Sequence, residues 1–355
     1  MQDKISSKSA NLLNKIVIKI DGVSVKRGER KRINIDMGAT YDFTDVYMPV
    51  EVVRGKKDGP TLFISSTIHG DEINGIEIVR RILESPDLKN ISGTLIAIPV
   101  VNVFGFNDRS RYLPDGRDLN RCFPGNKNGS MTSQVAYKFM NEIVKKSNYG
   151  IDLHTGASHR SNYPQIRANL GNIKTLNLAK AFGAPVIINS NLRDGSLRES
   201  VSEQNIPMLL YEGGEALRFD KMVIEIGVKG ILNFMREIGM IESQVCEISN
   251  KKVFVANSSS WVRAPKGGIH IAYQKLGKIV KIGDVLGEIS NPFGDHKTLV
   301  KATENGIIIG MSKIPMANKG DALFHIAARK DKGIENEIAQ YDNMYVGDPI
   351  DTVNR

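Results

Sequence analysis

The sequence predicts an α/β protein with a mostly parallel mixed sheet, helices on both faces of the sheet, and an all-β region at the C-terminal end. Between residues 45 and 240, aliphatic and β-branched runs of strand length alternate with segments of helical periodicity. Such alternation is typical of parallel sheets, because parallel strands need a crossover that is usually helical. From about residue 250 the helical periodicity is lost, and short β-like runs are separated by glycines.

The predicted elements of the first 240 residues follow in chain order. Residues 1–44 are expected to form an N-terminal extension with short strands, of which residues 16–20 are the clearest. Residues 61–68 are predicted to be a buried strand, and the helix after it has an apolar stripe at Ile76, Val79, Ile82 and Leu83. Further strands are predicted at residues 94–101, 185–189 and 207–212, and another strand ends at residue 154. Helices are predicted at residues 133–146 and 196–204, and a long helix broken by glycines at residues 219–238.

The C-terminal β region, residues 250–329, contains a weak internal repeat. Lys281-Ile-Gly-Asp-Val-Leu and Asn318-Lys-Gly-Asp-Ala-Leu share one pattern. Two hairpin units related in this way resemble the barrel-sandwich fold of biotinyl and lipoyl carrier domains. Lys297 has no carrier motif around it, so the sequence favours an ordinary surface lysine there. Residues 330–355 are polar and are expected to form a tail.

The composition is that of an ordinary globular protein, and it argues against a nucleic-acid-binding, secreted or membrane protein. The chain has 355 residues and a formal charge of +9, but its lysines and arginines are spread out, and the densest cluster, residues 26–32, lacks an aromatic platform for nucleic acid. No signal peptide or membrane span is recognisable. Cys122 and Cys246 have no paired spacing, which predicts reduced thiols and a cytoplasmic location. The basic balance also suits an enzyme with an anionic substrate.

Two short motifs predict a zinc site with an open face. His69 and Glu72 lie three positions apart at a strand-to-helix junction, and His154 ends a later strand. Asp152 is a candidate for orienting the imidazole of a ligand. Two histidines and one glutamate leave the fourth tetrahedral position for water, which is typical of catalytic rather than structural zinc. Open α/β sheets bind their ligands at this rim.

The loop of residues 107–125 is rich in arginine and also contains Asn120. One interpretation is a basic surface loop with ordinary salt bridges. The other is that Asn120 and Arg121 clamp a carboxylate while a further arginine polarises a carbonyl, since the guanidinium binds carboxylates in bidentate fashion. Composition alone favours the two interpretations equally.

Glu212 is the candidate general base. It follows a strongly apolar strand and precedes two glycines, where a carboxylate is costly to bury unless it has a partner or a role. Beside a zinc-bound water that role would be general base and then general acid. Glu215 is expected to be a solvated turn residue.

Four motifs together resemble one protein family. His69-x-x-Glu72, Asp118-Leu-Asn-Arg-x-Phe-Pro-Gly125, Asp152-Leu-His-Thr-Gly156 and Tyr211-Glu-Gly-Gly214 occur in the order seen in the succinylglutamate desuccinylase/aspartoacylase family, within the zinc carboxypeptidase superfamily. The resemblance covers residues 45–330. It implies a zinc carboxypeptidase-like catalytic domain over residues 45–245, with one zinc ion per chain, that hydrolyses the amide bond of a small anionic N-acyl amino acid.

The resemblance also implies residue roles. His69, Glu72 and His154 would be the metal ligands, and Glu212 would be the base. Asn120 and Arg121 would bind the substrate carboxylate, and Arg111 would polarise the scissile carbonyl. The loop before Asn120 is longer than in the aspartoacylase branch, so Arg109 remains an alternative to Arg111. Arg198 matches a second substrate-binding arginine more loosely.

Two other functions remain open at this point. A carboxypeptidase shares the catalytic core but needs a cleft open to peptide ends, which the β region at the rim would narrow. A zinc-binding protein without activity is the second alternative. A homo-oligomer is compatible with the sequence, and neither a nucleic acid nor a membrane is expected as a partner. The other histidines, His159, His270, His296 and His325, are expected at the surface or in supporting positions.

Overall fold

One mixed sheet of 13 strands organises the computed structural model, which describes residues 17–242 and 253–329 of the chain. Three sequence predictions concern residues outside these ranges: the first part of the extension, the state of Cys246 and the polar tail after residue 330. Among the described residues, no helix is long and apolar enough to cross a membrane.

The strands in chain order are β1 (Val17–Ile20), β2 (Val23–Lys26), β3 (Arg30–Ala39), β4 (Asp45–Arg54), β5 (Lys57–Ser66), β6 (Ser92–Ile98), β7 (Tyr149–Gly156), β8 (Arg160–Ala168), β9 (Val186–Asn189), β10 (Met208–Glu215), β11 (Phe254–Ala256), β12 (Ser258–Arg263), β13 (Gly268–Ala272), β14 (Ile279–Val280), β15 (Val285–Ser290), β16 (Thr298–Lys301), β17 (Gly306–Ser312), β18 (Met316–Ala317) and β19 (Ala322–Ala328). The α-helices are α1 (Asn74–Glu84), α2 (Val103–Asn107), α3 (Met131–Glu142), α4 (Ile173–Phe182), α5 (Leu197–Glu203) and α6 (Lys221–Glu237). Short 3-10 turns occur at Pro86–Asn90, Leu119–Arg121 and Val144–Lys146.

The large sheet has the strand order β12-β19-β17-β8-β10-β7-β5-β6-β4-β3, with β9 also on β8, β11 on β9 and β14 on β17. Its centre is parallel, since β6, β5, β7 and β10 run in one direction. One core cluster lies under α1, α4 and α6, and a second lies under α3 and α5 on the opposite face. The predicted fold class, an α/β sheet with helices on both faces, is therefore confirmed.

The C-terminal β region continues this sheet, and its strands pair antiparallel except for β11, which pairs parallel with β9. β17 pairs with β8 and with β19, and β12 pairs with β19. A second sheet, β16-β15-β13-β18, completes the region. At the other end, β3 pairs with β4, so the large sheet begins inside the segment that the sequence assigns to an extension. The domain boundaries at residues 45 and 250 remain predictions.

The internal repeat corresponds to two equivalent turns. The Asp284 carboxylate accepts from the Lys281 amide at 2.7 Å, and the Asp321 carboxylate accepts from the Asn318 amide at 2.8 Å. In each turn the glycine before the aspartate, Gly283 or Gly320, has a φ of 91°. That left-handed conformation explains the glycine at this place in both copies.

Helix α6 is continuous, so the break predicted at its glycines is wrong. Gly227 and Gly230 lie inside the helix, where a Cβ atom would stand 2.5 Å from Cδ1 of Ile78 and 2.1 Å from the ring of Phe182. The glycines allow α6 to pack closely against α1 and α4. The sequence analysis also missed β8 and α4 entirely.

Candidate active site

Three buried side chains meet at the carboxyl ends of the central strands. His69 follows β5, Glu72 precedes α1, and His154 lies near the end of β7. Their exposed fractions are 4%, 2% and 5%, and one ligand atom from each lies within 4.8 Å of the others. These are the three residues that the sequence analysis predicted as metal ligands.

Both imidazoles turn the same nitrogen toward Glu72. Nδ1 of His69 lies 2.7 Å from Oε1 of Glu72, and Nδ1 of His154 lies 2.8 Å from Oε2. Each Nε2 faces another carboxylate, that of Asp118 at 3.1 Å for His69 and that of Asp152 at 2.7 Å for His154. Carboxylates in this position fix the ring orientation of metal-binding histidines.

Charge–charge interactions dominate this cluster. Burial disfavours a charged imidazole, but Asp152 and Glu72 outweigh it and raise the pKa of His154 well above its usual value. Burial likewise disfavours the Glu72 carboxylate, but His69 and His154 outweigh it and lower the pKa of Glu72. The cluster holds the Glu72 carboxylate between two imidazole nitrogens, where a divalent cation could take the place of protons. The donor set, its burial and its outer carboxylates fit zinc.

Arg111 lies beside the cluster. Its Nη1 donates to Oε1 of Glu72 at 3.1 Å, and its Nε and Nη2 donate to Oδ2 of Asp118 at 3.2 and 2.9 Å. Asp118 thus links Arg111 to His69. Arg109, the alternative to Arg111, is exposed and does not line the cavity described below.

Asn120 and Arg121 lie in the 3-10 turn that Asp118 caps. The Asn120 side-chain oxygen accepts from the backbone N–H of Leu197, the first residue of α5. Arg121 donates to the Asn120 carbonyl and lines the same cavity as the histidines. The turn therefore presents both predicted carboxylate-binding side chains beside the metal ligands.

Glu212 lies on β10 directly opposite His154 on β7, so their side chains share one face of the sheet. Its Oε2 is 2.5 Å from Nε of Arg167, on β8. Both side chains are 18% exposed. The candidate base is thus beside the metal ligands and paired with an arginine that the sequence analysis did not identify.

Arg198 is buried at the start of α5. It donates to the backbone oxygens of Ser190 and Asn191 at 3.1 and 2.6 Å. Burial lowers the pKa of Arg198 to about 10, and the nearby Arg167 and Arg193 contribute, while Glu212 acts in the opposite direction. The guanidinium lines the cavity.

A cavity of about 550 Å³ brings these side chains together. All eight predicted site residues line it, and so does Asp152, the predicted partner of a ligand imidazole. The sequence analysis missed the other lining residues: Thr155, Gly156, Ala157, Arg160, Asn162, Arg167, Ser190, Arg193, Ser196, Leu210, Ser259, Trp261 and His325. Trp261 and His325 come from the C-terminal strands β12 and β19, so these strands supply part of the cavity wall. A larger depression, about 950 Å³, lies elsewhere and contains none of the predicted site residues.

The fold and the site together define the class: the chain is an α/β protein with a candidate metal centre. Two histidines and a glutamate lie at metal-ligand spacing at the strand ends of its sheet. Residues 58–238 match the family described as the succinylglutamate desuccinylase/aspartoacylase catalytic domain. The match covers just over half of the chain and includes every predicted site residue. The chain belongs to this family.

Individual relatives agree with the family assignment. The chain is 26% identical over 294 residues to N-alpha-acetyl-L-2,4-diaminobutyric acid deacetylase from Halomonas elongata, covering 79% of this chain and 86% of that protein. A succinylglutamate desuccinylase/aspartoacylase structure from Rhodobacter sphaeroides has a TM-score of 0.75 at 23% identity, over 85% of this chain and 97% of that chain. The product-bound ectoine utilization protein EutE (DoeB) from Ruegeria pomeroyi has a TM-score of 0.78 at 21% identity, over 86% of this chain and 97% of that chain. The structural matches support the fold.

Proposed function

We propose that this protein is a zinc-dependent hydrolase that cleaves the amide bond of a small N-acyl amino acid. The observation that carries the proposal is the convergence of His69, Glu72 and His154 with Glu212 and Arg111 in one cavity. Family membership and the relative that deacetylates an N-acetyl amino acid support it.

Zinc would be held by the Nδ1 atoms of His69 and His154 and by the Glu72 carboxylate, and when bound it supplies a Lewis acid for the carbonyl and for water. The Nε2–H groups of the histidines donate to Asp118 and Asp152, which favours the tautomer whose Nδ1 can bind a cation. Ser65 in turn donates to Asp152 at 2.7 Å, so that carboxylate is itself held in place.

The side chains around this centre divide the remaining work. Glu212 takes a proton from the attacking water and delivers it to the leaving amine, as one acid–base group can do in both directions. Arg111, held by Asp118, donates to the oxygen of the scissile carbonyl as its charge develops. Asn120 and Arg121 bind the carboxylate of the amino acid part.

The cavity also bears on the size and charge of the substrate. Its volume suits a small molecule, and strands β12 and β19 supply one of its walls. Six arginines line it, at positions 111, 121, 160, 167, 193 and 198. This favours a small anion over a polypeptide chain.

A hydrolysis screen tests the proposal. N-acetyl, N-succinyl and longer N-acyl amino acids are compared with peptides carrying free C-termini, using the zinc-loaded protein and the variants His154→Ala and His159→Asn. Deacylation that is lost in His154→Ala and retained in His159→Asn is expected, because His159 is exposed and its φ of 63° is one that asparagine tolerates. Release of C-terminal residues without deacylation would favour a carboxypeptidase, and turnover of neither class would favour an inactive zinc-binding protein.

A further inference from the structure

At the centre of the large sheet, the candidate base lies between a metal ligand and a glutamine. Glu212 on β10 is directly opposite His154 on β7 on one side and directly opposite Gln165 on β8 on the other. The side chains of directly opposite residues stand on the same face of a sheet. Gln165 therefore flanks Glu212 on the side away from the metal ligands, and Arg167, two positions further along β8, is on the same face.

Gln165 lies beneath the cavity rather than in it. The residue is 0% exposed and is not one of the cavity-lining residues, whereas Arg167 and Glu212 are. A substrate in the cavity can contact Arg167 and Glu212 but not the Gln165 amide. Any effect of Gln165 on a reaction in this cavity must therefore act through its neighbours.

Within residues 17–242 and 253–329, this group of three side chains leaves four buried polar atoms unpaired. Neither Nε2 nor Oε1 of Gln165 has a hydrogen-bond partner there, and the same holds for Nε of Arg167 and Oε2 of Glu212. The last two atoms are 2.5 Å apart, but their contact lacks the alignment of a hydrogen bond. Buried polar atoms without partners are rare, and a group of them calls for an arrangement that pairs them.

Gln165 has the hydrogen-bonding groups that this ion pair needs. A glutamine amide donates through Nε2 and accepts through Oε1. Oε2 of Glu212 needs a donor, and the Nε–H group of Arg167 needs an acceptor. A neutral amide can satisfy both without adding charge beside the base, whereas an apolar side chain could satisfy neither.

We propose that Gln165 is a positioning residue for Glu212. Its Nε2–H group donates to Oε2 of Glu212, and its Oε1 accepts from the Nε–H group of Arg167. The carboxylate is thereby held toward the metal ligands, with Oε1 of Glu212 free to take the proton of water. The inference rests on the proposed function, because that function makes Glu212 the general base.

Replacement of Gln165 tests this role by kinetics. Gln165→Met keeps the length of the side chain but removes both hydrogen-bonding groups. In the full-length, zinc-loaded protein we expect kcat for the best N-acyl amino acid of the screen to fall by about 10- to 100-fold, because a small displacement of a catalytic group is costly. KM should change by less than about 3-fold, since the amide does not contact the substrate.

Gln274→Met is the matched control for this substitution. Gln274 is half-buried, its amide donates to the Val285 carbonyl at 3.0 Å, and it lies outside the cavity. We expect it to leave kcat unchanged. An unchanged kcat in Gln165→Met overturns the inference.

A double-mutant cycle distinguishes positioning from a structural role. If Gln165 acts through Glu212, Gln165→Met should lower kcat by less than about 3-fold further in a Glu212→Gln background, because residues that act as a unit are not additive. A structural defect would lower kcat by the same factor in both backgrounds, and that result overturns the inference. If Gln165→Met does not fold, Gln165→Asn, whose amide is one methylene shorter, takes its place in the same cycle.

Nuclear magnetic resonance detects the contact without turnover. In protein made with isotope-labelled glutamine, the side-chain amide signal of Gln165 is the one that is lost in the Gln165 variant. We expect its proton resonance to move upfield in Glu212→Met, which removes the charged acceptor and adds no amide, and to stay in place in Glu215→Met. An amide signal that does not respond to Glu212→Met overturns the inference.

The same signal separates the two proposals. A response to Glu212→Met in a protein that hydrolyses no N-acyl amino acid supports the contact and counts against the proposed function. Hydrolysis by a protein whose Gln165 amide does not respond leaves the proposed function intact and overturns the positioning role.

Discussion

At the scale of single residues, two carboxylates outside the ligand set orient the histidines of the candidate metal centre, and the sequence predicted this role for Asp152 but not for Asp118. Asp118 and Asp152 each accept from the Nε2 of one histidine. The ligands themselves could be predicted because each sits in a short motif at the end of a buried strand. The positions of Arg167 and His325 in the cavity could not be predicted, because they depend on contacts with residues that are distant in sequence.

Removal of the candidate base is expected to separate catalysis from metal binding. Glu212→Gln should lower kcat by about 10²–10⁴-fold, because an amide cannot accept the proton of water. Zinc content, measured by elemental analysis, should stay near that of the parent protein. Glu215→Gln is the control on the same strand, and its Oε1 accepts from the His159 amide outside the cavity. Full activity in Glu212→Gln would assign the base elsewhere.

Asp152→Asn tests the outer carboxylate. The change replaces the carboxylate that holds the His154 ring by a neutral amide, a weaker acceptor, and we expect zinc affinity to fall by about 10- to 100-fold, measured by competition with a coloured chelator. Asp108→Asn, at an exposed position, should leave affinity unchanged. An unaltered affinity in Asp152→Asn would show that the Asp152 contact does not tune the metal site.

At the scale of elements, strand β8 explains what local patterns cannot predict. It contains Pro164, and a proline argues against a central strand because it lacks an N–H for the ladder. In the structure, β17 pairs with residues 160–162 of β8 and β9 with residues 165–168. Pro164 therefore lies between the segment of β8 that pairs with β17 and the segment that pairs with β9. This strand carries Arg160 and Arg167, so missing it also meant missing one side of the cavity.

The glycines of α6 offer a stability test with an unusual sign. Alanine normally stabilises a helix interior relative to glycine. At Gly230 the added Cβ would lie 2.1 Å from the ring of Phe182, which is 1% exposed and has little room to move. We expect Gly230→Ala to lower the free energy of unfolding by about 1–3 kcal/mol, the usual cost of overpacking. Denaturant unfolding measures this free energy, with Lys229→Ala, at an exposed position of the same helix, as the control. A Gly230→Ala variant that is more stable than the parent protein would contradict this packing.

At the scale of the whole molecule, the C-terminal β region continues the large sheet and supplies part of the cavity wall. It was predicted as a separate unit at the rim because glycine spacing reveals short strands but not their partners. The pairing of β17 with β8 joins residues about 150 positions apart, and no local pattern encodes such a contact. The open sheet and its helices were predictable, because their periodicity is local.

Truncation at residue 250 should therefore destabilise the whole chain. It removes the partners of β8 and β9 and leaves their edges free to associate. We expect aggregation by size-exclusion chromatography and loss of hydrolysis. A monodisperse truncated chain with the full rate and the same preference for small substrates would make the C-terminal region dispensable.

Metal removal and reconstitution test the central claim most directly. The full-length protein is dialysed against a chelator and titrated with zinc, while hydrolysis of the best N-acyl amino acid from the screen is followed. The three buried donors predict that activity is lost with the metal and returns in proportion to zinc up to one ion per chain, with no return in His154→Ala. A metal-free protein that hydrolyses the substrate at the rate of the untreated protein would contradict the account.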